Sequence, residues 1–270
     1  MKLRIFFAVL LVAGAWVAGR ALTNRGGGSS DADFAADIKA GERVVNDSYK
    51  LSAGARVEVT GIHGPVQIAT VEGDTAEVHI VTEASDARDL ESNKITVEAS
   101  GDRLVVRGAD NSRGGFWRWM AGRSSRVSHR VELRVPRRVE LRASGIHGDL
   151  TVGALEGPLK LTGIHGNVEV ARAAGQAGIN GIHGNVTVGL ASLSGEGVRV
   201  AGVHGQIEFR LAADVNADVS VNGIHGSVNV QNPAVTVEQD EHNNFEGRVG
   251  TGGTPISVTG VHGNVALTRG

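Results

Sequence analysis

One tetrapeptide returns seven times along this 270-residue chain and limits what the chain can fold into. Gly-Ile-His-Gly stands at 61–64, 145–148, 163–166, 181–184 and 223–226, and Gly-Val-His-Gly at 202–205 and 260–263. The histidines from His147 to His225 are spaced 18, 18, 21 and 21 residues apart. Self-similarity at so short a period marks a stacked-repeat architecture. From His225 to His262 the gap is 37 residues, close to two periods, and from His63 to His147 it is 84. The longer gap leaves room for about four irregular turns of the same length.

Around each tetrapeptide the residues alternate with period two, as in a strand with one buried face. In Leu159-Lys-Leu161-Thr-Gly163 the apolar residues are odd-numbered, whereas in Ile164-His-Gly-Asn-Val168-Glu-Val170 they are even-numbered. A phase slip between Gly163 and Ile164 implies a corner that turns the chain while keeping apolar side chains inward. The first glycine of each corner (Gly61, Gly145, Gly163, Gly181, Gly202, Gly223, Gly260) permits the backbone angles of such a bend. The second (Gly64, Gly148, Gly166, Gly184, Gly205, Gly226, Gly263) falls on the inward phase, where a side chain would crowd it.

One such unit cannot bury its apolar side alone, but units stacked about 4.8 Å apart can. The expected fold is therefore all-β, a parallel β-solenoid (β-helix) of 18–21-residue turns. A β-sandwich is the competing architecture, but it does not explain the return of one tetrapeptide at one phase. Residues 48–142 read as irregular first turns and 143–270 as the regular ones. Strands are expected at Val57–Val59, Ala76–Val81, Ile95–Val97, Leu104–Val106 and Val131–Val135, with long polar connections at 85–93 and 108–128.

The turns Val-x-Val-x-Gly-x-x-Gly-x-Val-x-Val resemble those of the putative-adhesin β-solenoid family of bacterial envelope proteins. So do Val135-Pro136-Arg-Arg-Val139-Glu-Leu141 and the late Gly247-Arg-Val-Gly250-Thr-Gly252-Gly253 step. The likeness covers residues 48–270. It implies a fold and a bacterial envelope setting but no shared catalytic motif. Where members of that family mostly carry Ser or Asn with Asp around the corner, this chain carries His followed by Gly.

The first residues read as an export segment, 1–19, with Lys2 and Arg4 ahead of the apolar run from Ile5 to Gly19. That run is shorter than the roughly 20 residues that cross a bilayer comfortably. It is either cleaved near Ala13-Gly14-Ala15 or retained as an inner-membrane anchor, and both place the body outside the cytoplasm, in the periplasm or at the cell surface. Residues 20–47 read as a flexible linker around Arg25-Gly-Gly-Gly-Ser-Ser30. The chain has no cysteine, which excludes disulfides, thiolate chemistry and lipid attachment through an N-terminal Cys. A net charge of −2 gives no reason to expect a nucleic-acid partner.

By the phase argument the corner histidines point outward and form a column. The plain reading is a corner residue whose ring stacks on its neighbours and covers the bend. Two functional readings compete with it. His147, His165, His183, His204 and His225 could hold a divalent metal, since imidazole suits Zn²⁺, Cu²⁺ and Ni²⁺. The column could also respond to pH, because adjacent like charges repel by about 1 kcal/mol even in water-like dielectric. No other cofactor is expected. His79, His129 and His242 lie outside the corners and are expected to face solvent.

Phe116-Trp117-Arg118-Trp119 lies in a basic stretch, with nine arginines and two glutamates between Arg113 and Arg142. It suits contact with an anionic membrane surface or a polyanionic glycan, or it folds as a flap over an open sheet edge. None of the repeat histidines has a Ser, Asp or Glu at recurring spacing, so catalysis is not expected. The expected function is non-enzymatic binding or scaffolding toward an envelope protein or glycan. A carbohydrate-active β-helix enzyme is the alternative.

Overall fold

The computed structural model describes residues 42–84, 87–109, 127–241 and 244–270. The fold is all-β, with two large sheets closing over one apolar core. The first sheet runs β1(Glu42–Lys50)–β4(Thr75–Ala84)–β7(Val127–Pro136)–β3(Val66–Val71)–β9(Leu150–Leu155)–β11(Val168–Ala174)–β13(Val186–Ser192)–β15(Ile207–Leu211)–β21(Val265–Arg269)–β17(Val228–Val230). The second runs β18(Val235–Glu241)–β19(Asn244–Val249)–β16(Ala217–Ile224)–β20(Thr254–Val261)–β14(Val198–Val203)–β12(Ala177–Ile182)–β10(Leu159–Ile164)–β8(Glu140–Ile146)–β2(Arg56–Thr60)–β6(Arg103–Arg107)–β5(Thr96–Ser100). A short helix, α1(Ala87–Ser92), lies in the connection expected to be long and polar.

From β8 to β15 the chain alternates between the sheets, and each strand pairs in parallel with the strand two elements on. Register is kept through the corners, with one irregularity where β11 pairs β13 beyond Val170: Ile146, Ile164, Ile182 and Val203 stand in one line. Leu150, Val168, Val186 and Ile207 stand in another. All eight are buried, each worth roughly 1.5–3 kcal/mol relative to exposure. Leu159 and Leu161 are buried before the corner, and Ile164, Val168 and Val170 after it, as the phase slip requires.

The ends break this order, and the sheets are mixed rather than wholly parallel. β20 lies between β14 and β16, parallel to both, and β21 lies between β15 and β17. The rung made last thus sits inside the one made before it. A turn delivers it there: Asn216 Oδ1 accepts from the Thr251 N–H at 2.9 Å, and Asp218 Oδ2 from the Gly253 N–H at 3.1 Å. The 37-residue interval is an outward excursion and return through the antiparallel strands β19 and β18, not two successive turns.

The other end repeats the manoeuvre. β2 and β3 pair directly with β8 and β9, so the 84 residues between His63 and His147 do not make four intervening turns. The intervening chain packs on the far side instead, with β6 against β2 and β7 against β3, while β5, β4 and β1 add antiparallel strands. Residues 42–47, expected in a linker, belong to β1, an edge strand with Val44 48% exposed and Val45 packed on the core. The export segment and the Phe116–Trp119 stretch lie outside the described residues.

Candidate functional site

Each corner is fixed from the backbone outward. The first glycines all adopt φ between 61° and 68°, a left-handed conformation that side-chain-bearing residues adopt only at a cost. The second glycines answer to a different constraint from the one expected. A Cβ on Gly184 would lie 2.3 Å from the carbonyl oxygen of Gly166 in the next rung, rather than in the core. The same clash recurs from Gly148 to Gly226, so glycine is what lets the rungs approach.

Between the two glycines, the histidine N–H donates to the rung below: His165 to Ile146 O, His183 to Ile164 O, and His204 to Ile182 O, each at 2.8 Å. Two residues on, a second ladder runs through side chains. Asp149 Oδ1 accepts from the Asn167 N–H at 2.7 Å, Asn167 Oδ1 from the Asn185 N–H at 3.0 Å, and Asn185 Oδ1 from the Gln206 N–H at 2.9 Å. Cβ positions on either side of this point are therefore set by backbone bonds.

The result is a continuous line of seven exposed imidazoles. Its order is His63, His147, His165, His183, His204, His262 and His225, with centroids 4.6–4.8 Å apart. The shared outward column of corner histidines is as the sequence predicts, but its order is not the order of the chain. His63 abuts His147, and His262 separates His204 from His225, so the five-histidine set read along the sequence is interrupted in space. Four pairs are stacked within 24° of parallel, while His165–His183 and His204–His262 are turned by 61° and 79°. Among the described residues no group of three or more His, Asp or Glu side chains converges as a ready metal site.

His129 reverses its expectation. It points inward from β7 and is 3% exposed, with Nδ1 3.1 Å from the Thr82 hydroxyl. Burial holds its pKa below the usual histidine value, and the nearby His63 adds to the effect. Its N–H bonds to His63 O at 2.9 Å, so it occupies the corner in the rung outside His63. His79 is half-buried and pairs with Asn46 Oδ1 at 2.5 Å. His242 lies outside the described residues.

A feature not found in the sequence reading lies on the outer face of the second sheet. A shallow groove of about 480 Å³ crosses β8, β10, β12 and β14. Lys160, Gly178 and Arg199 are consecutive in register there, with Arg142 beyond Lys160. Gly178 faces open space, which leaves a notch between two cations. Arg142 bonds Glu140 at 2.5 Å and Arg199 bonds Glu196 at 3.2 Å, whereas Lys160 has no ion-pair partner among the described residues. Burial works to raise the Glu140 pKa, but hydrogen bonds from Arg142 and Arg56 outweigh it and hold the carboxyl below its ordinary range. Aligning the repeats on histidine shows the signal: Arg142, Lys160, Gly178 and Arg199 each stand five residues before a corner histidine.

No protein-family model and no curated protein matches the sequence. Among solved structures, the chain is similar to a "putative cell adhesion protein" from Clostridium sporogenes, with 10% identity and a TM-score of 0.44 over 84% of this chain and all of the other. It is also similar to a "putative adhesin" from Bacteroides fragilis, with 10% identity and a TM-score of 0.30 over 83% of this chain and 97% of the other. A "putative lipid binding protein" from Parabacteroides distasonis gives 12% identity and a TM-score of 0.27 over 84% and 97%.

Proposed function

We propose that this chain is an exported, non-enzymatic binding or scaffolding protein of the bacterial envelope, adhesin-like, whose body is a β-solenoid with reordered ends. One observation carries the reading: successive rungs keep their register through the corners, so each outward position there becomes a straight file of side chains. Repeated groups of this kind suit many weak simultaneous contacts with an extended partner. The groove supplies the surface, with the Lys160 ammonium and the Gly178 notch open to an envelope glycan or a protein segment carrying acidic groups. Its two carboxylates, Glu140 and Glu196, are held by arginines, which favours binding over proton transfer.

The test is capture from envelope extract by the immobilised full-length chain, run beside a polysaccharide turnover panel. Retention of a specific glycan or protein by the wild type, lost in Lys160→Glu/Arg199→Glu, is the expected result. Release of new reducing ends or unsaturated products by the wild type would replace this reading with a carbohydrate-active enzyme.

A further inference from the structure

We infer that the histidine column is a binding site for divalent transition-metal ions, each ion held between imidazoles of adjacent rungs. This goes beyond the proposed binding role and does not depend on it.

The argument is one of reach. Two imidazole nitrogens share an ion when each lies about 2.0–2.1 Å from it, so they stand no more than about 4.2 Å apart. Ring centroids of column neighbours are 4.6–4.8 Å apart. Ring nitrogens lie off the centroid, and rotation about the side-chain torsions brings two of them within the required span. All seven rings are exposed, so this rotation meets no packed neighbour on the outer side. The backbone needs no adjustment, because left-handed glycines and inter-rung hydrogen bonds already fix each histidine. Such preorganisation removes most of the ordering cost that weakens metal capture by flexible histidines.

The chemistry selects the ion. Neutral nitrogen donors favour Cu²⁺, Ni²⁺ and Zn²⁺ over the oxygen-seeking Mg²⁺ and Ca²⁺, with Cu²⁺ tightest. No third protein ligand converges on a pair among the described residues, so water completes the coordination and the ion stays exchangeable. The adjacency that matters is spatial. His204 and His225 are consecutive histidines along the chain but cannot share an ion, because His262 lies between them.

The experiment compares two triple variants of the full-length chain, each keeping four of the seven column histidines. His147→Gln/His183→Gln/His262→Gln leaves His63, His165, His204 and His225, none beside another. His63→Gln/His147→Gln/His165→Gln leaves His183, His204, His262 and His225 as an unbroken file. Calorimetric titration with Zn²⁺ is expected to show binding by the wild type and the unbroken variant. The alternating variant is expected to bind weaker by roughly tenfold or more. Equal binding by the two variants would overturn the inference. So would loss in both with strand content and melting temperature intact, or a wild type that gives no heat with Zn²⁺ or Cu²⁺. Imidazole resonances of the wild type provide a reading without substitution: Zn²⁺ should shift column rings while leaving the buried His129 in place.

Discussion

The middle of the molecule and its two ends use the same corner but follow different rules of order. From β8 to β15 each rung lies on the one made just before it, and position along the chain is position along the axis. At each end one rung is enclosed by a neighbour that is not its neighbour in sequence. The rung of β2 and β3 lies between β6/β7 and β8/β9, and the rung of β20 and β21 lies between β14/β15 and β16/β17. The middle shows what a periodic sequence does when left alone. The ends show how open edges are handled: at three of the four sheet edges antiparallel strands are laid outside the last parallel rung, and the fourth is closed by the short strand β17.

The largest expected effect follows from this difference. Deleting residues 254–270 removes an internal rung, leaving β14, β15 and β16 each without a partner on one side and β17 without its one pairing strand, β21. The expected outcome is loss of cooperative unfolding and aggregation, read by circular dichroism melts and light scattering. A deletant that melts like the parent would mean that the final rung is a dispensable end piece.

A smaller effect separates confined rungs from free ones. Gly184→Ala forces a Cβ to within 2.3 Å of Gly166 O between two fixed neighbours, and should cost about 1–3 kcal/mol in urea unfolding. Gly226→Ala meets Gly263 O at the same 2.3 Å, but β17 has no rung beyond it and can move outward, so its cost should be less. Gly178→Ala faces open space and should be neutral or stabilise by about 0.4–1 kcal/mol. Equal costs for Gly184 and Gly226 would erase the distinction.

Cutting the amide ladder should cost less again. Asn185→Ala removes the acceptor of the Gln206 N–H in the middle, and should lower stability by about 1 kcal/mol. Asn264→Ala removes the acceptor of both the Ser227 N–H and its hydroxyl. Hydrogen exchange should then rise around β17 alone, with the middle unchanged.

The smallest effect is a pH dependence confined to one end. The folded-state pKa of His129 is depressed, so the unfolded chain takes up the proton first. Above the ordinary histidine value near 6.5 both states are neutral and no stability is at stake. As pH falls below it, stability is lost until the folded state also protonates. The melting temperature of the wild type should fall over that window more than that of His129→Leu, which keeps the whole histidine column. Matching slopes would remove His129 from the acid response.

Much of the middle was legible in the sequence because its two signals are local. The burial of Leu161 and Ile164 on opposite phases, and the outward direction of His165, follow from a period of two and one slip. The ends were not legible, because a gap of 37 residues fits two onward turns as well as an excursion and return. Pairing is a non-local choice, and no residue near His262 announces that it docks beside His204. His129 was misjudged for the same reason: it is buried only because β7 lies against β3 and β4. Residues 42–47 of β1 read as linker because an edge strand shows a weak pattern, with Val44 outward. The groove was overlooked because its cations are spaced by whole repeats and gather only once the repeats stack.

The enclosed rung also bears on how such a chain matures. A polypeptide leaving a ribosome presents β14 to β17 before β20 and β21 exist. The neighbours that will flank the late strands must then wait unpaired, or pair provisionally with each other and part again. Until β20 and β21 thread into place, β14 and β15 keep an open edge while the rungs before them are already paired. An interrupted product would carry raw strand edges that mark it for chaperones and proteases.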